Sequence, residues 1–319
     1  MAVMRKVFRQ SCAVACGLLL CVVVATAQTS GPATQASGEQ ANALVNLNVI
    51  FTDEAGRSVD DVRREDVRVS ENGVAQAISH FATEERAVSY GLIVDTTGSM
   101  RPLLGDVIKT AHAVVAANRP GDKTFVMHYV DADNIEFDTG LTNDSDALNA
   151  ALDDLYIQGG LTATLDALHR ALEFSARSRP DDNDNRTRHA LVLITDGEDR
   201  GSRQSNPETL IARLRETRAQ IFVIGLTRLT KEVRNPDKAV QLLNRIAQET
   251  GGRAFFPKTV AELPDVIKEL AHDLRTQYVI GYAPTNAARD GSFRKVQVTL
   301  APGKSKRAAI TRPGYTAPR

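Results

Sequence analysis

Hydrophobic positions follow different periods in different stretches of the chain. At the start of the first ordered stretch, Val45, Leu47, Val49 and Phe51 alternate with the polar Asn46 and Asn48, which is the period of a half-buried strand. Asp53-Glu54-Ala55-Gly56 then reads as a turn. Val67 and Val69 alternate with Arg68 and Ser70, Asn72-Gly73 fits a type I′ hairpin turn, and residues 74–78 predict a returning strand. Residues 87–275 change pattern. Three continuous apolar runs, 90–94, 190–194 and 221–225, suit strands covered on both faces, as in a parallel sheet. Phe125-Val126-Met127 is a further strand candidate. Helical faces lie between and after these runs. Leu104, Val107, Ile108, Ala111, Val114 and Val115 make one. Leu165, Leu168, Ala171 and Leu172 make another. Val240, Leu243, Ile246 and Ala247 make a third, stopped by Gly251-Gly252. Val260 to Leu274 predicts the last helix, with Pro264 in its first turn or bending it. From residue 276 the pattern returns to strands: 278–282, then Val296, Val298 and Leu300 alternating with Gln297 and Thr299, and a short candidate at 308–310.

Strands alternating with helices over 87–275 predict an α/β domain with a doubly wound, mostly parallel sheet. The flanking segments 43–86 and 276–319 have about 45 residues each, too few for a secure core alone. They are expected to pair into one sandwich-like β module, leaving the α/β domain as an insertion. The alternative is two separate β appendages.

The first residues read as processing rather than structure. Arg5, Lys6 and Arg9 precede an apolar run from Cys12 to Ala25, and Ala25-Thr26-Ala27 is a small-x-small site. This predicts a secretory signal peptide over 1–27, since the run is short of the ~20 residues a membrane span needs. An uncleaved N-terminal anchor is the alternative. Residues 28–42 contain no large apolar side chain and read as a flexible linker. All three cysteines, Cys12, Cys16 and Cys21, fall in the signal, so the mature chain is expected to have no disulfide, thiolate nucleophile or cysteine-based zinc site. Charge refines this picture only slightly. The chain has 39 basic and 39 acidic residues; losing the three basic residues of the signal leaves a net charge of −3. Near-neutral charge, 5% aromatics and no Trp argue against a nucleic-acid partner.

Candidate chemistry gathers where apolar runs end. The first ends in Asp95, followed by Thr96-Thr97-Gly98-Ser99. The second ends in Thr195-Asp196-Gly197-Glu198-Asp199. Between them, Gly159-Gly160-Leu161-Thr162-Ala163-Thr164 opens a helix. Ligands of doubly wound sheets bind at the carboxyl ends of strands. Three loops offering only carboxylate and hydroxyl oxygens describe a hard-cation site, with room for water that suits Mg²⁺ or Mn²⁺ better than a calcium cage. Taken singly, Asp95 or Thr162 could cap a following helix, and Asp196 could sit in an ordinary turn.

The D-x-T-x-S of Asp95, Thr97 and Ser99 resembles the metal-ion-dependent adhesion site of von Willebrand factor type A (VWA) domains. Thr97 departs from the usual serine, keeping the hydroxyl and adding a methyl group. GGLTATLDAL and LITDGED are similar to the family's second and third loops. The resemblance covers about 87–275. A narrower likeness to bacterial VWFA-related proteins, best known from Acidobacteria, runs through EDVRVSENGVAQAISHF, ETGGRAFFP, QYVIGYAP and RPGY. The resemblance implies that Thr97 and Ser99 bind a divalent cation directly, Mg²⁺ first, with Mn²⁺ or Ca²⁺ as alternatives. It implies that Thr162 binds directly or through water, and that Asp95 and Asp196 hold coordinated waters. A partner protein's Asp or Glu carboxylate would take the remaining position.

The expected function is an exported, periplasmic or extracellular, non-enzymatic binding or adhesion module with no membrane span after signal cleavage. One alternative is a structural envelope component with incidental metal. Another is a metal-assisted hydrolase, for which Glu198 and Asp199 are the local candidate bases. Other polar features weigh less. Residues 180–185 have calcium-loop composition but lack the loop's Gly and Glu. Asp131, Asp133, Glu136 and Asp138 read as exposed residues near the same edge or in a β-ribbon. The six histidines are scattered, and Lys304 to Arg307 reads as a hairpin end.

Overall fold

The computed structural model describes residues 44–178, 187–301 and 306–319. The expected signal at 1–27, the expected linker at 28–42, residues 180–185 and Lys304-Ser305 lie outside the described residues.

The chain begins with β1 (Val45–Thr52), β2 (Val67–Glu71), β3 (Val74–Gln76) and β4 (Ile78–Glu85). Asn72 and Gly73 have φ of 49° and 84°, and Glu71 pairs with Val74, so the two-residue turn has the positive φ values of type I′. The single returning strand expected over 74–78 is in fact divided. The chain leaves the β2 sheet at Ala77, and Ile78 opens β4 in the opposite sheet, facing Tyr282. A strand that changes sheets bends between the layers of a sandwich.

The inserted part runs β5 (Ala87–Asp95), α1 (Leu104–Ala116), β6 (Lys123–Tyr129), β7 (Ile135–Phe137), α2 (Ser145–Asp153), α3 (Thr164–Arg177), β8 (Thr187–Thr195), α4 (Pro207–Glu216), β9 (Gln220–Gly225), α5 (Pro236–Glu249), β10 (Ala254–Phe255) and α6 (Leu263–Arg275). Its sheet has the order β10-β9-β8-β5-β6-β7, parallel except for β7. Val107, Val114, Leu148, Leu270 and Leu274 bring α1, α2 and α6 against one face. Leu165, Leu168, Leu210, Leu214, Leu243 and Ile246 bring α3, α4 and α5 against the other. Both faces of the central strands are therefore dry, which is why they read as unbroken apolar runs. Pro264 stands in the first turn of α6, where no helical N–H is needed.

The chain closes with β11 (Thr276–Tyr282), β12 (Phe293–Leu300), β13 (Ala308–Ile310) and β14 (Gly314–Thr316). Two antiparallel sheets result, β13-β1-β11-β4 and β14-β12-β2-β3. Each interleaves strands from the two ends of the chain, so the segments before and after the insertion make one sandwich, as expected. Its core is built from Leu47, Phe51, Val67, Val69, Tyr278, Ile280, Val296 and their neighbours. Buried Arg294 donates to Glu71 at 3.2 Å, and Tyr282 and Tyr315 each donate to Glu71 Oε2 at 2.8 Å. The insertion leaves beside the point where it enters, because Thr276 pairs with Glu85. Buried Arg275 locks that point by donating to Asp122 at 2.7 Å, and Asp122 also accepts the backbone N–H of Val88 and Arg119. Ile50 of the sandwich packs into the core shared with α1 and α6.

Candidate functional site

The carboxyl ends of β5, β6 and β8 lie side by side, because Asp95 pairs with Tyr129 and Val94 with Ile194. The loops that follow therefore converge. Asp95 is completely buried at the end of β5. Its Oδ1 accepts the Thr97 N–H at 3.1 Å and the Thr97 hydroxyl at 2.7 Å. Thr97 Oγ1 is in turn 3.1 Å from Ser99 Oγ. Thr97 is buried and Ser99 half-buried, so the oxygen row runs from the dry interior towards solvent. Asp95 does not cap a helix: the short 3-10 turn at Gly98–Leu103 has Thr97 at its N-cap and no side-chain cap bond.

Oδ2 of Asp95 faces a second set of groups. The Thr195 hydroxyl donates to it at 2.7 Å and the Tyr129 hydroxyl at 3.1 Å. Tyr129 also lies 2.9 Å from Thr164 Oγ1, which donates to the Glu198 carbonyl at 2.8 Å. One buried cluster thus ties β5, β6, α3 and β8 together. Neither Tyr129, Thr164 nor Thr195 was singled out from the sequence. Thr164 and Thr195 lie within the 159–164 and 195–199 motifs, but Tyr129 falls two residues past the apolar run at 125–127.

Asp196 follows at the end of β8, also completely buried. Its Oδ1 accepts the Glu198 N–H at 3.0 Å, while Oδ2 is buried with no hydrogen-bond partner among the described residues. Burial, and then the neighbouring Asp196 charge, push the Asp95 carboxyl up, against the pull of the Thr97 and Thr195 hydrogen bonds. Burial likewise pushes Asp196 up, and the Ser99 hydroxyl opposes it. Two carboxylates in a dry space are costly without positive charge.

Thr162 is buried, and it is not the cap of α3; that position is Ala163, with no side-chain cap bond. Its carbonyl accepts the N–H groups of Arg200 and Gly201, both at 2.8 Å, which joins the second loop to the third. No hydrogen bond connects the Thr162 side chain to Asp95, Ser99 or Asp196 among the described residues. The Gln158 N–H donates to the Thr96 carbonyl at 3.0 Å and joins the second loop to the first. Asp166, in the first turn of α3, accepts the N–H groups of Arg203, Gln204 and Ser205 and holds the far end of the third loop.

The two candidate bases are both engaged. Burial pushes Glu198 up, but Arg200 at 2.7 Å and the Arg234 N–H at 2.6 Å outweigh it and hold the carboxyl below its ordinary range. Asp199 accepts the Ser202 hydroxyl at 2.6 Å, and burial raises it. The acidic stretch beyond β6 does include a ribbon, β7. Not all of its acids are free surface, however. Asp138 holds the buried His128 at 2.8 Å, which raises the imidazole, and Asp133 pairs with Arg203. Among the described residues no group of three or more His, Cys, Asp or Glu could hold a metal. A site here would depend on hydroxyls as well as carboxylates.

The family model for the von Willebrand factor type A domain matches residues 91–269, more than half of the chain. The chain belongs to the VWA domain family. Its insertion is the VWA domain, and the converging loops are the strand-end loops of that domain. Solved structures similar to it include the conserved hypothetical protein BatB from Bacteroides thetaiotaomicron, at 16% identity and a TM-score of 0.46, over 59% of this chain and 98% of that one. A von Willebrand factor type A protein from Catenulispora acidiphila is 14% identical with a TM-score of 0.48, over 86% and 73%. The pilus adhesin SpaC from Lactobacillus rhamnosus GG is 11% identical with a TM-score of 0.48, over 82% and 48%. No curated protein matches the chain.

Proposed function

We propose that this VWA protein is an exported, non-enzymatic binding module that grips a protein partner's Asp or Glu carboxylate through a divalent cation, Mg²⁺ before Mn²⁺ or Ca²⁺. The observation that carries the reading is the pairing of two fully buried carboxylates, one with an oxygen unmatched among the described residues, beside a row of hydroxyls that runs towards solvent. That donor set fits a hard cation: its charge would offset Asp95 and Asp196, and its affinity for oxygen would use Thr97 and Ser99. When bound, such a cation supplies an electrophile for an incoming carboxylate. In this reading Thr97, Ser99 and Thr162 offer hydroxyl oxygens, Asp95 and Asp196 accept from coordinated water, and Tyr129 and Thr195 fix Asp95 Oδ2. Half-buried Ser99 is the solvent-side end at which a partner arrives.

A metal-assisted hydrolase is disfavoured by the state of Glu198, whose carboxylate is occupied by Arg200 and the Arg234 N–H. Export is supported by the composition of residues 1–27, and among the described residues no helix is long and apolar enough to cross a membrane. Affinity capture from the native envelope tests the reading. Partners held in Mg²⁺, released by EDTA and not retained by an Asp196→Ala variant would support it. Partners held through both EDTA and the substitution would favour a structural role for the β module instead.

A further inference from the structure

We infer that β4 is a dimerisation edge: two copies of this chain join by antiparallel pairing of their β4 strands about a two-fold axis at Ala82. The inference is independent of the cation site. Its first ground is strand length. Among the described residues, the edge strands of the three sheets are β13 and β4, β10 and β7, and β14 and β3. β3, β7, β13 and β14 have three residues each and β10 has two, whereas β4 has eight. A short edge offers too few backbone groups to template another strand, and natural sheets also guard edges with lysine or proline. Ile78–Glu85 contains neither. β11 pairs with β4 along one side. Among the described residues, one hydrogen bond reaches the β4 backbone from outside the sheet, from the Arg64 guanidinium to the Ile78 carbonyl at the first residue. The outward backbone groups of 79–85 are open to a further strand.

The second ground is the order of side chains. Phe81 lies 5.3 Å from the Tyr278 ring and packs on the sandwich core, so its face of the strand is the inner one. His80, Ala82 and Glu84 alternate with it and share the outer face. His80 Nε2 is 3.5 Å from Glu84 Oε1, and Glu84 also accepts from Arg86 Nε at 2.7 Å.

Two antiparallel strands related by a two-fold axis set residues of the same face opposite each other. With Ala82 on the axis, His80 of each copy faces Glu84 of the other, Phe81 faces Thr83 and Ser79 faces Glu85. Opposite charges, and an aromatic ring beside a β-branched residue, are favourable cross-strand pairs. Neighbouring registers lose this match. An axis at Glu84 sets glutamate against glutamate. One at Thr83 sets Phe81 against Glu85 and His80 against Arg86. One at Phe81 sets His80 against Ala82. Ala82 is also the midpoint of 79–85, so this register uses the open edge in full. The insertion follows β4 directly, with β5 starting at Ala87, so the two inserted domains leave from opposite ends of the shared edge.

Sedimentation velocity of the protein from about 1 to 100 µM, with hydrogen exchange at both ends of that range, tests the inference. A reversible dimer that fills as concentration rises is expected, with amides of 79–85 gaining protection alongside it. His80→Glu sets glutamate against Glu84, and Glu84→Lys sets lysine against His80, so each should weaken the dimer about ten-fold or more. The double swap restores opposite charges in the same register and should bring the dimer back. The Tm of each variant at the dilute end separates a folding defect from a lost contact. A wild-type protein that stays monomeric throughout would overturn the inference. So would a dimer whose 79–85 amides exchange equally at both concentrations, a dimer that both single swaps leave intact, or a folded double swap that stays monomeric.

Discussion

Tyr129 donates its phenolic proton to Asp95 Oδ2 at 3.1 Å, across the ends of two neighbouring strands and out of reach of water. This bond leaves Oδ1 of the same carboxylate to the hydroxyl of Thr97. Replacing Tyr129 by Phe removes one of the two donors to Oδ2 and keeps the ring. A loss of about 1–3 kcal/mol in urea unfolding is expected. The Mg²⁺ response should persist, since every candidate ligand remains. Unchanged stability would show that Thr195 alone satisfies the carboxylate.

Gly201 has no room for a side chain, because a Cβ would overlap the Leu161 carbonyl. Gly201→Ala must push the second and third loops apart. We expect a cost of about 1–3 kcal/mol together with a weakened metal response. Gly159→Ala is the control, since nothing lies within 4 Å of a Cβ there. Equal behaviour of the two variants would contradict the proposed loop contact.

In the sandwich, Glu71 accepts from Arg294, Tyr282 and Tyr315 in a buried space. Glu71→Ala leaves a guanidinium and two phenols without their acceptor. Its Tm should fall further than that of Glu71→Gln, which keeps the volume and an acceptor oxygen. Circular dichroism melts of the two would decide this; equal Tm values would mean that a neutral acceptor oxygen contributes nothing at this position.

His272 links the loop after β1 to α6. Asp273 beside Nδ1 at 3.6 Å and Asp60 on Nε2 at 3.0 Å raise it to about 9, against the opposing effect of burial. A raised imidazole stabilises the fold when protonated. Its contribution is complete below its ordinary value of 6.5 and lost as pH rises through about 9. The difference in Tm between wild type and His272→Gln should therefore be largest near pH 6 and vanish by about pH 10. A difference that does not change with pH would rule out this ion pair.

Much of this fold is written in periodicity. The apolar runs at 90–94, 190–194 and 221–225 became β5, β8 and β9 because both faces of those strands are covered. The helices with clear stripes, α1, α3, α5 and α6, were legible too. α2 and α4 were not singled out, although Asp144 caps the one and an Asn206–Thr209 capping box opens the other. Their apolar stripes are short, so the cap was the better signal. β4 escaped notice because Ile78–Glu85 has no clean alternation: it is an edge strand whose partner is the distant β11. At the site, the loops after β5 and β8 and before α3 are local motifs, and the structure brings them together. Tyr129 reaches Asp95 only because parallel strands place their ends together, which sequence spacing does not encode.

The central claim is that Asp95, Thr97, Ser99, Thr162 and Asp196 hold a divalent cation. Titrating Mg²⁺ into EDTA-treated protein while following Tm tests it most directly. The account predicts a rise that continues with Mg²⁺, equivalent to about 2.7 kcal/mol at a hundred-fold excess over Kd, and its loss in both Asp95→Asn and Ser99→Ala. A wild-type Tm that stays flat through millimolar Mg²⁺ and Mn²⁺, or a rise that both variants retain, would contradict it.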